Sequence, residues 1–144
     1  MHIGLAKKTG ELERDVQRLS RELDQSIARL HRARDLINNT VFALNTAITP
    51  AVLVGKMAPK ELTLLRTGVD VPLMELRGLG DVIGDSLLQE KIDDLWELTR
   101  GDKLDIERQD EWGKYLIHLD RTAHDLHKRV YQLLREATAV QVGR

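Results

Sequence analysis

Residues 112–140 read WGKYLIHLDRTAHDLHKRVYQLLREATAV. The apolar positions Trp112, Leu116, Leu119, Ala123, Leu126, Val130, Leu133, Ala137 and Val140 are separated by alternating steps of 4 and 3. A mean step of 3.5 residues is a heptad seam, the signature of a long helix that buries one narrow face. Upstream, Leu12, Val16, Leu19, Leu23, Ile27, Leu30, Ala33, Ile37, Val41, Leu44 and Ile48 span 36 residues in 10 steps. That period of 3.6 belongs to a straight α-helix with one buried stripe. No stretch alternates in twos for long enough to argue for a strand.

These patterns predict an all-α chain, a helical bundle with two long outer helices over about 10–48 and 103–139. Thr9 suits the cap of the first. Pro50 should end it, because a residue before proline is driven from helical ψ. The middle reads as three shorter helices, about 51–66, 72–78 and 81–100. Pro59 and Pro72 fit first turns, and Gly68 and Gly78 fit ends. In the third, Val82, Leu87 or Leu88, Ile92, Leu95 and Leu98 should face inward. Gly101 should stop it, and Asp102 should cap the last helix. The run Arg77-Gly-Leu-Gly-Asp-Val-Ile-Gly84 has the wrong glycine spacing for a phosphate loop and follows no strand, so it reads as a helix–helix turn.

The chain has 144 residues, which suits a single domain over 1–144. With 42% apolar and 31% charged residues it belongs among soluble bundle-forming chains. It carries 22 basic and 23 acidic side chains, so no overall positive charge recruits nucleic acid or anionic lipid. The absence of cysteine excludes disulfides, thiolate metal sites and a Cys nucleophile. The first ten residues hold no apolar signal core. The greasiest stretch, Val41 to Met57, is interrupted by Asn45, Thr46, Thr49, Pro50 and Lys56 and reads as a buried helix pair rather than a membrane span. A cytoplasmic protein without membrane contact is expected.

Charge is partitioned. Residues 81–111 hold 4 basic and 11 acidic side chains, whereas the segments on either side each carry +3. The acidic segment either packs beside the basic helices or offers a face to a basic partner. With Leu116 at heptad position a, Lys114, Arg121, Lys128 and Arg135 all fall at f and line one edge about 10.5 Å apart. Tyr115, Ile117, Tyr131 and Leu134 lie off the a/d line and widen the apolar face beyond what one neighbour covers. These eight residues are the expected interaction surface. Substitution of Leu134 by Asp is expected to spare the fold, and a charge at Leu126 to destroy it.

Asp120, His124 and His127 share one side of the last helix, but a single helix supplies at most part of a metal's ligands and no Glu-x-x-His occurs. Neither a metal nor a cofactor is expected. Arg121 and His127 form an R-x5-H pattern, which resembles the R-x(4–6)-H motif of the HEPN ribonucleases, also helical bundles. The resemblance covers seven residues, and Thr122 stands where the family places a residue such as Asn, Asp or His. It implies Arg121 and His127 as the catalytic pair of an RNA-cleaving dimer. Residues 23–32 also align with 119–128, sharing Leu, Asp, Leu and His at corresponding places and setting His31 against His127. Histidines flanking one interface would admit a pH response.

Taken together, the residues point to a non-enzymatic helical protein–protein interaction or assembly component, an adaptor, structural or regulatory subunit. It would act through the C-terminal heptad helix and the acidic 81–111 segment, as a homo-oligomer or with a protein partner. The alternatives are a nucleic-acid-binding regulator using the basic row and a HEPN-like ribonuclease.

Overall fold

The computed structural model describes the backbone of residues 2–55, 57–100 and 109–143, and the side chains of these except 2–7, 64 and 109. Within them the chain is all-α, a helical bundle: α1 (His2–Val54), α2 (Pro59–Ile83), α3 (Ser86–Leu98) and α4 (Gln109–Val142). α1 packs on α2 and α4, and α3 closes the ring by packing on α2 and α4. Neighbours run antiparallel. Arg77 of α2 reaches Asp93 of α3, Asp70 of α2 meets Arg100 just past the end of α3, and Lys91 and Leu98 of α3 meet Asp125 and Tyr115 of α4.

The long helices stand where the two periodicities place them, but several boundaries move. α1 starts at His2, not near Gly10, so Thr9 is not its cap. It also runs through Pro50 and stops at Gly55, where φ is 92° and the Gly55 N–H donates to the Ala51 carbonyl at 2.7 Å. α2 is one helix of 25 residues containing Pro72, in place of two short helices, so neither Gly68 nor Gly78 ends a helix. The physical reason is common to both prolines. Each removes one backbone hydrogen bond and costs about 3 kcal/mol in a helix interior. Each is flanked by leucine-rich turns buried in the core, Leu44, Ile48 and Ala51 in α1 and Val69, Leu73 and Leu76 in α2. Burial of these side chains outweighs the local loss.

The turn expected within residues 77–84 sits at its last glycine. Gly84 adopts φ 75°, and its N–H donates to the Gly80 carbonyl at 3.0 Å, closing α2. A Cβ on Gly80 would lie 2.9 Å from Ile92 Cδ1, so this glycine lets α2 and α3 approach closely. Asp85 then caps α3, accepting from the Leu88 N–H at 2.9 Å. The third middle helix therefore begins at Ser86 rather than near Asp81. Its inward residues are Leu88, Ile92, Leu95 and Leu98, while Val82 and Leu87 are exposed. α4 begins at Gln109. The roles expected of Gly101 and Asp102 lie outside the described residues.

The core runs from Leu30 to Ala51 on α1, Leu65 to Leu76 on α2, Leu88 to Leu98 on α3 and Trp112 to Leu134 on α4. Trp112, Leu119, Leu126 and Val130 are fully buried along the heptad seam, whereas Val140 at its end is exposed. Thr40 is buried in this apolar setting because its hydroxyl donates to the Leu36 carbonyl at 2.8 Å.

Candidate interaction surface

α1 has 53 residues and α4 has 34, about 80 Å against about 51 Å of helix. The two run antiparallel, and the upper end of α4 reaches only to Asp24 of α1, which accepts from Gln141 Nε2 at 3.2 Å. Residues 2–23 of α1, about 33 Å of helix, therefore continue past the end of α4. The stripe that is buried lower down emerges here. Leu30 is buried, Ile27 and Leu23 are partly covered, and Leu19, Val16 and Leu12 are 57%, 63% and 65% exposed. The expectation of one buried stripe from Leu12 to Ile48 thus fails over its first three members, because α1 outruns its neighbours. Three large aliphatics at steps of 4 and 3 form an exposed apolar line on one helix face, left uncovered among the described residues.

The eight residues expected from the last helix divide differently. Tyr115 is 7% exposed, its ring is edge-on to Trp112 at 6.1 Å, and its hydroxyl donates to the Leu98 carbonyl at 2.6 Å. Burial raises its pKa well above the ordinary phenol value. Leu134 is 8% exposed and belongs to the core. Both residues tie α4 into the bundle, and Leu134→Asp would bury a charge rather than spare the fold. They lie off the a/d line yet are buried because two helices, α1 and α3, pack on α4 and cover more than a narrow seam. Ile117 and Tyr131 are exposed as expected.

Lys114, Arg121, Lys128 and Arg135 are all exposed. Lys114 and Arg121 share a groove between α3 and α4 with Asp94, His118 and Asp125, and Asp120 is exposed beside Arg121. Carboxylates interleave with the cations, so the row builds no continuous basic track of the kind a phosphate backbone requires. Three carboxylates of the acidic segment lie beside cations of the bundle. Asp85 pairs with Arg129 at 2.5 Å, Asp93 lies 3.6 Å from Arg77 Nε, and Asp94 lies 3.8 Å from Lys91. Trp96 is held between two guanidiniums, with Arg100 3.5 Å and Arg77 4.4 Å from its ring centre. Residues 101–108 of the acidic segment lie outside the described residues.

Arg121 and His127 do not meet. Six residues of helix turn them about 120° apart. Arg121 lies in the α3–α4 groove, and His127 is half-buried near Arg34 of α1. Burial first, then the neighbouring His124 and Arg34, lower the His127 pKa, which favours its neutral form. His31 is exposed, so the two aligned histidines sit in unlike settings. Among the described residues, no three His, Asp or Glu side chains gather closely enough to hold a metal ion.

α1 also contains a stretch long and apolar enough to cross a membrane by length and composition. No charged residue stands between Asp35 and Lys56. In the structure Ile37, Thr40, Leu44, Ile48 and Ala51 of this stretch are buried in the bundle, and Phe42, Leu53 and Val54 are exposed. Comparison with protein-family models, curated proteins and solved structures found no match.

Proposed function

We propose that this chain is a non-enzymatic interaction or assembly protein whose bundle presents the free end of α1 to a protein partner. The observation that carries this reading is the line Leu12, Val16 and Leu19, exposed on a helix that outruns its neighbours. A lone helix in water is marginal unless an apolar face is packed, so a projecting segment of this kind gains most of its stability on contact. A row of large aliphatics at helical spacing is the recognition element of helix-mediated association. The test is proximity capture in native cells, comparing the wild-type chain with a Leu12→Asp/Leu19→Asp variant. The expected outcome is a specific set of captured polypeptides, this chain or others, lost in the variant. Identical capture by both forms would refute the reading.

A further inference from the structure

The geometry points to a second copy of this chain as the occupant of that line, aligned parallel and in register with the first. This rests on the reading of the α1 end as an interaction element, and it goes further by naming the partner and its direction.

The exposed line Leu12, Val16 and Leu19 runs on into the partly covered Leu23, with steps of 4, 3 and 4. In heptad terms Val16 and Leu23 stand at a, and Leu12 and Leu19 at d. Val16 at a beside Leu12 and Leu19 at d suits two strands rather than three or four, with Leu23 at the second a. The flanking positions decide direction. Lys8, Asp15 and Glu22 occupy g, and Glu13, Ser20 and Ile27 occupy e. In a parallel pair each g residue faces the e residue five places further along the other chain. Lys8 then faces Glu13 of the second copy, twice by symmetry, Asp15 faces Ser20 and Glu22 faces Ile27. No like charges oppose. In the antiparallel arrangement that sets Val16 against Leu19 and Leu12 against Leu23, Asp15 faces Glu22 of the other chain twice, and repulsion disfavours it.

The seam also ends where a parallel pair needs it to. At Ser26 the d position turns polar, and its hydroxyl donates to the Glu22 carbonyl of its own helix at 3.0 Å. There α4 arrives beside Asp24 and takes over the cover of α1. Two copies would share a two-helix stalk through Leu23 and diverge into separate bundles below. Charge argues against a lipid surface as the occupant. Residues 8–24 carry Lys8, Arg14, Arg18 and Arg21 against Glu11, Glu13, Asp15, Glu22 and Asp24, so no basic excess draws this face to anionic headgroups. The seam from Leu12 to Leu23 is under two heptads long; so small a contact sets the expected dimer in exchange with monomer at micromolar concentration.

The experiment combines sedimentation equilibrium of the purified full chain with cysteine cross-linking, which is clean because the sequence has no cysteine. The wild-type chain is expected to be dimeric at the upper end of the micromolar range, and Leu19→Asp monomeric with the cooperative unfolding of its bundle retained and helix lost only from the projecting end of α1. Oxidation of Leu12→Cys is expected to give a disulfide-linked dimer, since position 12 faces itself only in the parallel register. The antiparallel register holds the two copies of residue 12 about 16 Å apart. A chain monomeric throughout, a dimer indifferent to Leu19→Asp, or a dimer that fails to cross-link at position 12 would each overturn the proposal. A monomer whose captured proteins still depend on Leu12 and Leu19 would overturn this inference alone and leave the interaction reading standing.

Discussion

Asp85 carries three contacts on one carboxylate. It accepts the Leu88 N–H, which caps α3, and two guanidinium N–H groups of Arg129, at 2.8 Å and 2.5 Å. The pair joins the α2–α3 turn to α4, and both side chains are largely covered, at 18% and 22% exposure. The Arg129 guanidinium, assisted by the Leu88 amide, holds the Asp85 carboxyl below the usual carboxylate range against the opposing effect of burial. A carboxyl whose pKa is depressed by folding stabilises the native state above its unfolded value, and that contribution fades as pH falls through the folded pKa. Asp85→Ala is therefore expected to lose about 2 kcal/mol at neutral pH, about half of it from the cap. The gap between variant and wild type should narrow below about pH 4. Urea unfolding at neutral and acidic pH measures both; a gap that widens in acid would contradict the assignment.

At the scale of the element, α1 is a helix assembled from three regimes. Its first part is exposed on its apolar line, its middle is buried against α2 and α4, and its last turns carry a proline. Pro50 is itself exposed, and nearby the Thr49 hydroxyl donates to the Asn45 carbonyl at 2.7 Å. The missing proline N–H is thus a local cost that the flanking Ile48 and Ala51 offset by burial. Pro50→Ala restores that donor and is expected to raise stability by about 1–2 kcal/mol, less than a mid-helix value because α1 ends four residues later. Chemical denaturation checks it. A loss of stability instead would contradict this account of the proline.

The whole molecule separates two kinds of apolar surface that share one pattern. Leu126 is fully buried where α4 meets the core, and Leu19 is exposed where α1 stands free. Leu126→Asp places an unpaired charge among apolar side chains, at a cost on the order of the entire stability of a domain this size. It should abolish cooperative unfolding. Leu19→Asp should leave the melting temperature of the monomer unchanged. Circular dichroism of both variants under dilute conditions makes the comparison. Equal damage from the two substitutions would mean that the free end of α1 packs back onto its own bundle.

The sequence alone determined that this chain is α-helical, that its two longest helices lie near its ends, and which side chains line most of the core. Those properties follow from short-range periodicity, which registers whether residues three and four apart share a face. Tertiary structure alone decided the rest. Local chemistry read stops at Pro50, Gly68, Pro72 and Gly78, but a helix ends only where packing no longer outweighs the local cost, and that balance depends on neighbours distant in sequence. Leu12 and Leu44 carry the same apolar signal within one stripe. Only the relative lengths of α1 and α4 leave the first in water and the second in the core. Leu134 and Tyr131 look alike as flank residues for the same reason, and the placement of α1 and α3 around α4 buries one and exposes the other. Periodicity reports that a face is apolar; the arrangement of the other helices decides whether anything within the chain covers it.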